Sequence, residues 1–106
     1  METKQKILQI LGLATRARMT ITGEELTINE VRRGNAKLVL LAEDASENTM
    51  KKLQDKCSYY KVDLQIFGTR FEIGHAVGKE ERVVMAITDA GFAKKLKSLF
   101  DENNRG

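Results

Sequence analysis

Residues 37–42 read KLVLLA and carry no polar side chain after the first lysine. A strand that faces solvent on one side alternates apolar and polar residues, whereas a strand covered on both faces is apolar throughout. The run therefore predicts a central strand of a sheet that has helices packed on both of its faces.

The chain before this strand is predicted to form a helix, a short strand and a second helix. Residues 3–14 place four apolar side chains at helical spacing, namely Ile7, Ile10, Leu11 and Ala14. Residues 19–22 are a short strand candidate because they are rich in β-branched side chains. The second helix is predicted from Gly23 to Arg33, since Gly34 follows as a helix stop.

The same alternation continues after the central strand. Either Asp44 or Ser46 can cap a third helix. The apolar stripe of that helix consists of Met50, Leu53, Cys57 and Tyr60. Residues 62–67 alternate apolar and polar side chains, which predicts a half-buried strand.

A capping-box pattern begins the fourth helix, with Thr69 as the cap and Glu72 reaching back to it. This helix is predicted to stop at Gly78, residues 82–88 form the last strand, and Asp89 caps the last helix. The inward-facing residues are predicted to be Ile73, Ala76 and Val77 in the fourth helix and Phe92, Leu96 and Leu99 in the last.

Helices that alternate with strands through short connections predict an α/β fold, a three-layer α/β/α sandwich with a four-stranded mixed sheet. The 106 residues are long enough for one such domain, which we assign to residues 1–100. Residues 101–106 are polar and are expected to fray.

Composition narrows the class of protein. The chain contains no apolar run near the roughly 20 residues that span a bilayer, and its first residues lack the apolar core of a secretion signal. Its one cysteine, Cys57, has no partner for an internal disulfide. These features predict a cytoplasmic protein with no membrane partner. The formal net charge of +3 favours nucleic acid weakly, so the placement of the charges has to decide.

Catalytic chemistry is poorly supported. The single histidine, His75, has no nearby cysteine or second histidine with which to form a zinc site. Cys57 lies on an apolar helical stripe, where an inert buried thiol is the simpler interpretation. The glycines show neither a phosphate-loop spacing nor a dinucleotide fingerprint. We therefore expect a protein that is not an enzyme and has no metal or cofactor.

The basic residues are more informative. Arginines and a lysine cluster around the second helix, at Arg16, Arg18, Arg32, Arg33 and Lys37, and Arg70 begins the fourth helix. On a helical wheel, one face of the second helix carries Thr27, Ile28 and Val31 and is predicted to pack on the sheet. The opposite face carries Leu26, Asn29 and Arg33, which combine an apolar contact, an amide and a phosphate-binding cation. Two alternatives stay open. In one, Arg32 and Arg33 only complement the helix dipole and Leu26 is half-covered by the first helix. In the other, Leu26 belongs to a protein-docking patch.

The block from Gly12 to Ser46, GLATRARMTITGEELTINEVRRGNAKLVLLAEDAS, resembles the L7Ae family of ribosomal proteins and its relatives of the L30e type. The resemblance continues through residues 67–80, FGTRFEIGHAVGKE, to the last strand. It implies the same α/β/α sandwich and an activity of binding kinked RNA helices, the kink-turns.

The resemblance also implies positions for the RNA contacts. Gly23 matches the glycine of the family's Gly-Thr-Asn-Glu motif, and Arg33 matches a family arginine. Where the family has threonine, asparagine, glutamate and a following lysine, this chain has Glu24, Glu25, Leu26 and Asn29. An acidic residue in place of the amide weakens RNA contacts, and loss of the lysine removes about one phosphate neutralisation.

Two further segments match the family. Glu43 and Asp44 correspond to its acidic loop, and residues 69–74 correspond to a Ser-Lys-x-x-Leu-Gly segment that includes Ile73. The family's apolar loop is replaced by the charged residues 79–82, of which Arg82 can stack on a base or bind phosphate.

Together these observations predict an RNA-binding protein whose partner is a structured RNA, either ribosomal RNA or an RNA that contains a kink-turn. We expect it to be a monomer and to associate with the ribosome. The predicted RNA-binding residues are Arg16, Arg18, Gly23, Glu24, Glu25, Leu26, Asn29, Arg33, Glu43, Asp44, Arg70, Ile73 and Arg82. The alternative is a protein-interaction module on the same fold with weak RNA affinity.

Overall fold

A computed structural model describes residues 2–105 and contains five helices and four strands within that range. In chain order they are α1 (Thr3–Arg16), β1 (Thr20–Thr22), α2 (Glu24–Arg33), β2 (Leu38–Leu41), α3 (Glu47–Tyr60), β3 (Leu64–Ile66), α4 (Arg70–Ala76), β4 (Val84–Ile87) and α5 (Ala90–Asn104). The predicted order of helices and strands is confirmed, and every strand is shorter than predicted.

The strands form one mixed sheet in the order β1-β4-β2-β3. Strand β2 pairs in parallel with β3 and antiparallel with β4, which in turn pairs antiparallel with β1. All four residues of β2 are buried, so the prediction of a central strand covered on both faces is confirmed.

The side chains of β2 divide between two apolar cores. Leu38 and Leu40 pack with α1, α4 and α5 on one face of the sheet. Val39 and Leu41 pack with α2 and α3 on the other face. The result is the predicted three-layer α/β/α sandwich, because alternate residues of a strand point to opposite faces of the sheet.

Local signals for helix starts were predicted well. Ser46 caps α3 by accepting a hydrogen bond from the Thr49 amide, which settles the choice between Ser46 and Asp44. Thr69 and Glu72 form the predicted capping box of α4. Asp89 caps α5.

Two details at helix ends differ from the sequence prediction. Tyr60 is 39% exposed, so its placement on the buried stripe of α3 was wrong. With 14 residues, α3 is longer than the short strands beneath it, and its last turn has no sheet to pack on. At the other end of the molecule α5 continues to Asn104, into the polar tail, whose last residue, 106, lies outside the described residues.

The topology gives the sandwich two distinct ends. Strands β1, β2 and β3 all finish at one end of the sheet, where α2, α3 and α4 begin. We call this the carboxyl end. At the opposite end, the amino end, these three strands start and α1, α2 and α3 finish. No helix within residues 2–105 has both the length and the apolar character needed to cross a membrane.

Candidate nucleic-acid interface

Hydrogen bonds between loops hold the carboxyl end together. The Gly23 amide donates to the Val84 carbonyl at 2.9 Å, and the Arg82 amide donates to the Arg70 carbonyl at 2.9 Å. A groove of about 300 Å³ lies between these segments. It is lined by Gly23, Glu24, Ser46, Thr49, Arg70, Val83 and Val84. The starts of three helices therefore share one concave surface.

The beginning of α2 differs from those of α3 and α4, because no side chain among residues 2–105 caps it. Gly23 has φ 104° and ψ 148°, a conformation that is open almost exclusively to glycine, and a Cβ there would meet nothing within 4 Å. Within residues 2–105, no acceptor receives a hydrogen bond from the amides of Glu24, Glu25 or Leu26. Three backbone donors of α2 are thus available at an open surface.

Glu24 connects α2 to α3. Its carboxylate accepts hydrogen bonds from Thr49 Oγ1 at 2.7 Å and from Lys52 Nζ at 2.9 Å. The hydrogen bond from Thr49, together with the Lys52 ammonium, lowers the pKa of Glu24. The carboxylate stays charged and is held by the two hydrogen bonds from α3. Their donors lie 25 and 28 residues further along the chain, so no local sequence signal indicates these contacts.

The outward face of α2 is as predicted. Leu26, Asn29 and Arg33 are exposed, and Leu26 leaves 59% of its surface uncovered. Thr27, Ile28 and Val31 are buried against the sheet. Glu25 is also exposed, beside the open amides, so a negative charge stands at the start of this face.

Arg70 and Asp44 join the start of α4 to the loop after β2. The Arg70 amide donates to Asp44 Oδ1 at 3.0 Å, and the guanidinium donates to Asp44 Oδ2 at 3.2 Å and to the Asp44 carbonyl at 2.6 Å. Glu81 Oε1 lies 3.7 Å from the same guanidinium. Much of the donor capacity of Arg70 is therefore used within the protein, while the neighbouring Glu43 is exposed.

The loop 79–82 packs directly on α4. A Cβ at Gly74 would lie only 2.4 Å from the Glu81 Cα, so the loop approaches the helix more closely than any side chain allows. Arg82 is directed by Thr22, whose Oγ1 accepts from Nε at 3.2 Å, and by the Glu81 carbonyl at 2.6 Å. Sequence reasoning missed Gly74 as a site-forming residue.

Ile73 does not belong to this surface. It is completely buried in the core shared with α1 and α5, because the helical period places it on the inner side of α4. Its side chain is therefore not accessible at this surface, and the predicted role of Ile73 in RNA binding stays a prediction.

Three of the predicted residues lie at the amino end. Arg16 ends α1, Arg18 follows it with φ 62°, and Arg33 is the last residue of α2, with its guanidinium 3.1 Å from Glu30 Oε1. The structure thus brings together Gly23, Glu24, Glu25, Glu43, Asp44, Arg70 and Arg82, and it places the other arginines about one helix length away.

The reactive side chains, Cys57 and His75, do not line the groove at the carboxyl end. Cys57 is buried under α3, and burial raises the pKa of its thiol to about 11. His75 is exposed on α4. No group of three or more acidic, cysteine or histidine side chains within the described part of the chain is arranged to hold a metal ion. The arrangement offers hydrogen-bond donors and charges to a ligand.

Comparison of the sequence with known proteins identifies a family and close relatives. The sequence profile of the ribosomal protein L7Ae/L30e/S12e/Gadd45 family matches residues 5–97. The chain is 58% identical to "RNA-binding protein YlxQ" of Bacillus subtilis over 92 residues, which cover 87% of this chain and 92% of that protein. It is 50% identical to the protein of the same name from Enterococcus faecium over 98 residues, 92% of this chain and 94% of that one.

A solved structure supports the same assignment. A protein of unknown function from Bacillus halodurans superposes with a TM-score of 0.89 at 48% sequence identity, covering 91% of this chain and 97% of that chain. The fold, the sequence profile and the close relatives agree along nearly the whole length. The chain belongs to the ribosomal protein L7Ae/L30e/S12e/Gadd45 family.

Proposed function

We propose that this protein binds structured RNA through the carboxyl end of its sandwich. The observation that carries the proposal is the uncapped start of α2. Gly23 leaves room there for a nucleic-acid backbone, and three amides have no acceptor in the described part of the chain. Helix starts of this kind favour anionic ligands such as phosphate. The RNA-binding names of the two bacterial relatives support the same function.

The surface suits RNA that departs from a regular helix. Regular A-form RNA hides its major groove, so proteins recognise its distortions and unpaired bases. Asn29 offers an amide that can reach a base edge, and Leu26 offers an apolar side chain on which an unstacked base can pack. We therefore include kink-turn RNA among the proposed partners, as the family resemblance implies.

The proposed activity is binding without catalysis. The buried thiol of Cys57 and the exposed position of His75 support it, since within residues 2–105 neither has the partners that a nucleophile or general base requires. The proposal also includes a cytoplasmic monomer that associates with the ribosome.

A gel-shift titration tests the RNA proposal and its specificity together. The two probes are a kink-turn duplex and an unkinked duplex of equal length, each at two salt concentrations. The kinked duplex is expected to bind more tightly, because it presents distorted backbone to the start of α2. Binding to neither probe contradicts the RNA function, and it would favour the protein-docking alternative at Leu26. Equal binding to both contradicts kink specificity alone.

Glu25→Asn sharpens this test by removing the negative charge beside the open amides of α2. We expect it to tighten binding of the kinked duplex more than that of the unkinked one. The matched control is Glu47→Asn, which removes an exposed carboxylate from the first turn of α3. If both variants change the two affinities by the same amount, the effect comes from net charge alone. Contact between RNA and the start of α2 near Glu25 would then be contradicted.

A further inference from the structure

The amino end of the sandwich carries a cluster of cations. The Lys37 amide donates to the Ile87 carbonyl, and the Thr88 amide donates to the Met19 carbonyl. The segments that carry Lys37 and Arg18 therefore flank the end of β4 on both sides, with their backbones about 10 Å apart. Arg32 and Arg33 in the last turn of α2 precede Lys37 at the same end.

Most of this charge is not neutralised by the protein. Of the acidic residues at this end, Glu30 pairs with Arg33, Asp63 pairs with Lys97, and Asp89 caps α5. Within residues 2–105, no carboxylate lies within 4.0 Å of the charged groups of Arg16, Arg18, Arg32 or Lys37. The amino end consequently presents a positive potential to solvent.

The carboxyl end has a mixed charge, because Arg82 and the exposed Lys79 lie there among several carboxylates. Glu25, Glu43, Glu80 and Glu81 are exposed there, and Arg70 is already bound to Asp44. A surface with this balance attracts phosphates weakly, although it offers hydrogen-bond donors. The cations of the amino end add to the long-range attraction of an RNA backbone.

A groove between α2 and α3 connects the two ends. It has a volume of about 320 Å³. Its walls are formed by Glu25, Ile28, Asn29, Arg32, Lys52 and Lys56. Glu25 lies at its carboxyl end, whereas Arg32 and Lys56 lie nearer the amino end. Lys52 is partly neutralised by Glu24, so Arg32 and Lys56 are the cations left for a ligand.

We propose that the α2–α3 groove is a second RNA-contact surface, which holds the phosphates of a duplex arm through Arg32 and Lys56. The arm extends from the RNA bound at the carboxyl end toward the cations of the amino end. This inference rests on the proposed RNA-binding function. The ten residues of α2 span about 15 Å, which is long enough for the groove to contact several successive phosphates of a duplex arm.

The test compares a kink-turn RNA with minimal arms and the same RNA with both arms extended by about eight base pairs. The wild-type protein is expected to bind the extended RNA more tightly and with a steeper dependence on salt. In the double variant Arg32→Gln and Lys56→Gln, we expect that gain to disappear while binding of the short RNA persists. The salt slope for the extended RNA is expected to fall by about two units, since each lost duplex phosphate contact removes about 0.9.

The matched control is the double variant Lys94→Gln and Lys95→Gln, which removes two exposed charges from α5 in the opposite layer. It is expected to keep the wild-type response to arm length. Urea unfolding midpoints show whether each variant is folded. The inference is overturned if the wild-type protein gains nothing from longer arms, or if the groove variant keeps the gain. Absence of wild-type binding to both RNAs overturns the proposed function as well.

Discussion

Gly74 sets the distance between α4 and the charged loop 79–82. The space that a Cβ would occupy is taken by the Glu81 backbone, so the glycine is required by a close approach and not by a turn. The same loop carries Arg82, whose side chain is directed toward the end of β1. One missing methyl group therefore shapes part of the carboxyl end.

We predict that Gly74→Ala lowers the free energy of unfolding by about 1–3 kcal/mol, because the added methyl group overpacks the contact with Glu81. It is also expected to weaken RNA binding by displacing loop 79–82. Urea unfolding and gel-shift titration measure the two effects. His75→Ala, an exposed neighbour on the same helix, is the control and is expected to change stability by less than about 0.5 kcal/mol. Equal stability of the two variants would show that the loop adjusts freely.

The sequence was sufficient where a residue's position depends on its own helix. The outward placement of Leu26, Asn29 and Arg33 follows from the helical period alone, and the structure confirms it. It was insufficient where a partner lies far along the chain. Arg70 is predicted to bind RNA, and the sequence gives no sign that its guanidinium is also engaged by Asp44, which lies 26 residues earlier. Local patterns contain no information about such a pairing.

Among the helices, α4 is held by contacts at its first turn. Glu72 Oε1 accepts from the Thr69 amide at 2.9 Å, and its other oxygen lies 2.7 Å from Lys4 Nζ of α1. The hydrogen bond from Lys4, with that from the Thr69 amide, lowers the pKa of Glu72 below its usual 4.5. The charged carboxylate thus joins two helices at the carboxyl end.

This contact predicts a dependence of stability on pH. Because the folded-state pKa of Glu72 is lowered, its stabilising effect is complete above about pH 4.5 and is lost as the pH falls through the folded-state value. We expect Glu72→Gln to be less stable than the wild type at pH 7, with the difference shrinking toward pH 3. Glutamine can still complete a capping box, so the variant isolates the ionic contact with Lys4. A difference that stays constant in urea unfolding at both pH values would contradict this account.

The elements were predicted well in kind and less well in length. Each strand has only three or four residues, although the apolar patterns extend further. Lys37 and Ala42 flank β2 and still make backbone hydrogen bonds to neighbouring segments. An apolar pattern shows which residues are buried. A strand ends where its regular hydrogen bonds to the neighbouring strand end, and the sequence pattern does not show that point.

At the scale of the whole molecule, the two ends of the sandwich differ in charge. The fold could be inferred from sequence because helices and strands alternate. The helices that follow β1, β2 and β3 all begin at one end of the sandwich, because these three strands run in the same direction. The charge separation could not be inferred, because it depends on which arginines are paired. Arg16, Arg18 and Arg33 are close in sequence to Gly23, which matches the family's glycine. They nevertheless lie at the opposite end of the sandwich.

The position of β4 has a consequence for how the chain folds. This strand lies between β1 and β2, so among the described residues the strand partner of Thr20–Thr22 comes from the last quarter of the sequence. Contacts between distant parts of a chain slow folding, because a long loop has to close before they form. During synthesis, β1 remains without a strand partner until Val84–Ile87 has left the ribosome.

We therefore predict that a fragment ending at residue 82 shows no cooperative unfolding transition in urea, although it contains three of the four strands and four of the five helices. Adding the separate peptide 83–106 is expected to restore the transition by supplying β4 and α5. A fragment that unfolds cooperatively by itself would show that β2 and β3 form a stable sheet without β4. If the prediction holds, the N-terminal three-quarters of the chain cannot form its native sheet until its final strand arrives.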